Sequence, residues 1–148
     1  MSIVTNTEGI LVYLYNSTTR IGSLQEIRDG HMSHKVTDHS LPEEYAGNII
    51  SCEYHHTKNR VVFLCSDGTF FEYDLLQKTC TPVEELFSAK TDSGIAQRPL
   101  QPTAEGEKYC GFQLGPEGQL LFAQTANYIE VLDANYCKVS CFIFLFNF

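Results

Sequence analysis

The sequence has no tryptophan, and its basic residues are few and scattered. It carries 10 Lys and Arg against 18 Asp and Glu, a formal charge of −8, with no basic cluster. Phosphate backbones are held by concentrated positive charge, so a nucleic-acid partner is not expected. No Cys-x-x-Cys pair occurs among the six cysteines, and Cys137 and Cys141 are spaced wrongly for a zinc knuckle. No metal or other cofactor is expected. Gly-x-Gly-x-x-Gly, Walker, Gly-x-Ser-x-Gly and His-Glu-x-x-His motifs are all missing, so nothing marks an enzyme. The C-terminal stretch Cys141 to Phe148 is very apolar but far shorter than the roughly 20 residues a membrane helix needs. The N-terminus MSIVTNTEGI lacks a basic segment followed by an apolar core. No signal peptide and no membrane contact are expected, and cytoplasmic residence is the default.

What is present is a folded β-type composition. The chain is 43% hydrophobic and 12% aromatic, enough for one ordinary domain with a core. Its organising stretch is Ile49 to Thr79. Ile49 to Tyr54, Arg60 to Cys65 and Thr69 to Leu75 read as strands, separated by a polar turn and by Ser66-Asp67-Gly68. Asp-Gly between runs rich in Val, Phe and Tyr is a strong hairpin signal, because both positions tolerate positive φ.

The pattern recurs. Cys110-Gly111-Phe112 follows Cys52-Glu53-Tyr54 by 58 residues, and Gln119 to Phe122 follows Arg60 to Phe63 by 59. Tyr128 to Asp133 echoes Phe70 to Asp74. Ile10 to Tyr15 and Arg20 to Ile27 form a weaker first unit, which lacks its opening strand unless Ser2 to Thr5 supplies it. These spacings predict one all-β domain of three propeller-like blades, over about 2–30, 49–80 and 109–146. Val36 to Gly47 reads as a polar loop, residues 82–89 as a short helix begun by Thr81-Pro82, and 88–108 as a long surface loop. Three blades make an incomplete ring, which leaves apolar faces for a partner. A homodimer closing the propeller is one solution, and Phe142 to Phe146 should be a strand short of neighbours. Cys52, Cys65, Cys110 and Cys137 fall among apolar neighbours and read as buried, reduced thiols. The histidines at 31, 34 and 39 read as solvated loop residues, and His55-His56 as surface.

The blades resemble those of the fungal fucose-specific lectins. Asn59-Arg60-Val61-Val62-Phe63 is similar to that family's second strand, and Phe70-Phe71-Glu72-Tyr73 to its third, with Arg60 and Glu72 twelve residues apart. The resemblance implies a six-bladed propeller that binds fucose-containing glycans without catalysis. Arg60 would then donate to sugar oxygens, Glu72 would accept from vicinal hydroxyls, and Tyr73, Tyr54 or Phe112 would supply an aromatic wall. The family's pocket aromatic falls near Cys80 here, and no Trp replaces it. The first unit has Leu11 and Ser23 where Arg and Glu would be. The third has Gln119 and Glu130, which imply a weaker second site. Read without the resemblance, Arg60 and Glu72 are a cross-strand ion pair contributing about 0.2–1 kcal/mol. A degenerate propeller that binds proteins and no sugar is then the alternative. WD-type blades share the alternation, but no Trp-Asp or Gly-His dipeptide is present.

Overall fold

A computed structural model describes residues 2–5, 9–29, 34–55, 58–83, 102, 106–115 and 118–143. The chain is all-β, with three four-stranded antiparallel meanders. The first sheet holds β1 (Ser2–Thr5), β2 (Gly9–Asn16), β3 (Ile21–Asp29) and β4 (His34–Ser40). The second holds β5 (Ile49–His55), β6 (Arg60–Cys65), β7 (Phe70–Asp74) and β8 (Thr79–Pro82). The third holds β9 (Gly111–Leu114), β10 (Leu120–Gln124), β11 (Tyr128–Asp133) and β12 (Lys138–Ile143). The opening strands β1, β5 and β9 lie side by side, one per sheet. The arrangement is propeller-like and open, as three repeats of one meander imply.

Each hairpin follows from local chemistry. Gly68 takes φ +90°, and its N–H closes on Cys65 O at 3.0 Å while the Asp67 carboxylate accepts from Thr69 N–H. Only glycine enters that φ cheaply. Asp74 and Asp133 end the third strands of their sheets in the same way. Asp74 accepts from the N–H groups of Leu76 and Gln77, and Asp133 from those of Asn135 and Cys137. Side-chain capping of this kind frees the backbone to reverse.

The second sheet is buried on both faces, which explains its unbroken run Val61-Val62-Phe63-Leu64-Cys65. Val61, Phe63, Phe71 and Tyr73 pack on Tyr13, Leu24 and Leu41 of the first sheet and the loop after it. Phe63 and Phe71 stack with ring centroids 4.8 Å apart. Val62, Leu64 and Phe70 pack on Leu121, Ala123 and Leu132 of the third sheet. Burying one such side chain contributes about 1.5–3 kcal/mol, so these two interfaces hold the sheets together.

Five expectations are corrected. Val36 to Gly47 is not all loop, because β4 runs to Ser40 and pairs with β3 in full register. Its residues alternate, and His39 turns inward to 2% exposure. His55 is likewise buried, against Gly118, where an added Cβ would sit 2.8 Å from the imidazole. Cys110 and Cys137 are exposed, unlike Cys52 and Cys65. Thr79–Pro82 is a fourth strand, and most of the helix expected over 82–89 lies outside the described residues, as do most of the 88–108 loop, His31 and His56. Phe142 lies on β12, the outer edge of the third sheet, and is 59% exposed. Among the described residues no helix is long and apolar enough to cross a membrane.

Candidate functional site

Period-two alternation places Arg60, Val62 and Leu64 on the face of the second sheet that turns to the third. Arg60 pairs across the ladder with Asp74, and Val62 with Glu72, so Glu72 and Asp74 share that face. On the next strand Thr81 pairs with Glu72, and Thr79 with Asp74. Three adjacent strands and the β7–β8 turn thus bring Arg60, Glu72, Asp74, Gln77, Thr79 and Thr81 around a small open recess of about 100 Å³.

Glu72 is its anchor. The side chain is 1% exposed, and Arg60 Nη1 donates to its Oε2 at 2.7 Å. The other oxygen, Oε1, accepts from Tyr136 Oη at 2.5 Å and from Lys58 Nζ at 3.4 Å. Tyr136 comes from the β11–β12 turn of the third sheet. Lys58 also donates to Ala134 O at 2.7 Å in that turn, and its ammonium lies 5.2 Å from the Tyr136 ring centroid. One carboxylate therefore ties the second sheet to the third. Burial works to raise the pKa of Glu72, but the hydrogen bonds from Tyr136 and Arg60 and the charge of Lys58 outweigh it, so Glu72 is held below the usual range. The same contact to Glu72 raises Arg60 further, and burial beside Glu72 pushes the Tyr136 phenol well up. Asp74 is lowered, chiefly by the Gln77 N–H.

Arg60 is the accessible member, with its side chain 35% exposed. Its Nε lies 3.5 Å from Asp74 Oδ2 but makes no hydrogen bond. Nε is itself buried, so it is the exposed remainder of the guanidinium, beside hydroxyls and a carboxylate, that can bind a ligand that both donates and accepts.

The other expected site residues lie elsewhere. Tyr73 points to the opposite face, where its hydroxyl meets His39 Nδ1 at 3.2 Å in the first interface. Tyr54 bonds Asn59, and Phe112 packs edge-on against Phe70. Glu130 is fully buried and accepts from Tyr109 Oη, with Lys138 Nζ 3.7 Å away. Gln119 is exposed and precedes β10. The register puts Leu120, not Gln119, at the place of Arg60: Leu120 pairs with Asp133 as Arg60 pairs with Asp74, and Glu130 stands where the second sheet has Phe71. In the first sheet the buried glutamate is Glu26, opposite Leu11, with His39 Nε2 at 3.5 Å. Ser23 is not its counterpart. Each third strand thus carries one buried Glu, and in the second sheet Arg60 bonds it.

Asp74, Thr79 and Thr81 were legible as an alternating polar set once β8 is read as a strand. Lys58 and Tyr136 were not, since they meet Glu72 from a loop and from another sheet. No protein-family model matches the chain, and no curated protein matches it.

Proposed function

We propose that this chain is a non-catalytic carbohydrate-binding module, with fucosylated glycans as its ligands and the Arg60 recess as its site. The observation that supports this most is the half-engaged Arg60 guanidinium, held at 2.7 Å by a buried Glu72 and open to a recess edged by Thr79 and Thr81. Charge-assisted hydrogen bonds from such a group suit sugar oxygens. Catalysis finds no support here. Glycoside cleavage needs one carboxyl kept protonated, whereas Glu72 and Asp74 are both lowered. Free thiols at all six cysteines support a reducing, cytoplasmic setting. The open set of three sheets supports pairing with a second copy, which light scattering would report as a dimer.

One observation favours a second reading, a sugar-free interaction scaffold. Both oxygens of Glu72 are already used by protein groups, two of which belong to an inter-sheet clasp. Calorimetric titration with L-fucose separates the two. Saturable heat in the wild type, lost in Arg60→Ala with its circular dichroism unchanged, is the expected result. A folded wild type that gives no heat leaves the scaffold.

A further inference from the structure

The recess has a chemical character that narrows its ligand beyond sugar in general. Among the described residues its wall is wholly polar: Arg60, Glu72, Asp74, Gln77, Thr79 and Thr81. The nearby rings are committed elsewhere. Phe70 and Phe112 pack on each other at 5.3 Å, Phe71 stacks on Phe63, and Tyr73 turns to His39. A methyl group or the C–H face of a sugar would therefore find no aromatic or fully aliphatic side chain. The charge balance is equally specific. One guanidinium faces two carboxylates, while Lys58 meets Glu72 on the oxygen that Tyr136 also holds, away from the Arg60 bond. An anion needs donors only, and here it would meet Asp74 Oδ2. Hydroxyls both donate and accept, which matches Thr79, Thr81, Gln77 and the pair of Arg60 with Asp74. The volume, about 100 Å³, is well below the roughly 300 Å³ at which drug-sized clefts begin, so one edge of one ring enters.

We propose that the Arg60 recess reads vicinal hydroxyls of a neutral sugar, ignores the methyl of a 6-deoxy sugar, and turns away sugars bearing a carboxylate. The inference rests on the carbohydrate reading given above and sets its ligand class.

L-Fucose, L-galactose and L-galacturonate share one configuration and differ at C6, as methyl, hydroxymethyl and carboxylate. Each is titrated calorimetrically into the wild type, Arg60→Ala and Asp74→Asn at pH 7. L-Fucose and L-galactose should bind with Kd values within about threefold, because an apolar subsite would separate them by roughly 10–200-fold. L-Galacturonate should bind about tenfold more weakly, and Asp74→Asn should shrink that gap, because like charges placed together are penalised. A tenfold or larger preference for L-fucose, or L-galacturonate binding as tightly as L-galactose, overturns the inference and leaves the carbohydrate reading standing. Heat from none of the three, with folded protein, overturns both.

Discussion

Replacing Glu72 with alanine tests whether one carboxylate clasps two sheets. The side chain is 1% exposed, so its carboxylate is held by protein groups. Tyr136, itself 4% exposed, loses its acceptor, and an orphaned buried hydroxyl costs about 1–3 kcal/mol. Arg60 and Lys58 are 35% and 26% exposed, so solvent screens them, and each lost ion pair counts for about 0.2–1 kcal/mol. Deleting the carboxylate also removes its own dehydration penalty, which offsets part of the loss. The expected net destabilisation is about 2–3 kcal/mol, a large share of the 5–15 kcal/mol typical of a domain. Urea unfolding at pH 7 measures it, followed by far-UV circular dichroism and tyrosine fluorescence. Tyr136→Phe alone should cost about 1 kcal/mol, and the double variant little more than Glu72→Ala, because the shared bond is lost once. A Glu72→Ala variant within about 0.5 kcal/mol of wild type, or strictly additive losses, would refute the clasp.

The pH dependence of the same site has a definite sign. The pKa of Glu72 in the fold lies below its ordinary 4.5. Its contribution is therefore full above that value and is lost as pH falls through the folded pKa, so the gap between wild type and Glu72→Ala should close in acid. Glu53 behaves oppositely: burial, only partly countered by the Leu114 N–H at 2.6 Å, raises it. A raised carboxyl costs stability as pH climbs past the unfolded value, so Glu53→Gln should match or exceed wild type at pH 7 and lose that advantage below about pH 4. A clear loss for Glu53→Gln at neutral pH in the same urea assay would contradict this. Gly118→Ala should cost about 1–2 kcal/mol by denaturation, since φ is +69° and the new Cβ would meet the His55 ring at 2.8 Å. In native protein, Ellman's reagent should modify Cys110, Cys137 and Cys141 quickly, Cys80 slowly, and Cys52 and Cys65 only after unfolding. Burial pushes the Cys65 thiol up to about 11, which leaves almost no thiolate at pH 8.

The sequence alone determined the elements whose signals are local. Arg60–Cys65 is a strand with the expected ends, and Asp67-Gly68 is the turn between it and β7. The repeat spacing fixed three units of like build, and Ser2–Thr5 does supply the first unit's opening strand against β2. The pairing of Arg60 with Glu72 was also legible, because hairpin register and period two place both on one face. Where a strand's polar residues face inward, the local signal failed. His39 read as solvent-facing because nothing nearby in sequence shows the Tyr73 hydroxyl waiting across the interface. Exposure of Cys110 and Cys137 was hidden for the converse reason, since apolar sequence neighbours do not ensure a covering sheet. Tertiary structure alone decided that Leu120 takes the Arg60 position in the third sheet, and that Tyr136 and Lys58 complete the anchor. Backbone hydrogen bonds within a meander are set by neighbours a few residues apart. Which face meets which sheet depends on packing between residues tens of positions apart, as Tyr73 with His39 and Tyr136 with Glu72 show.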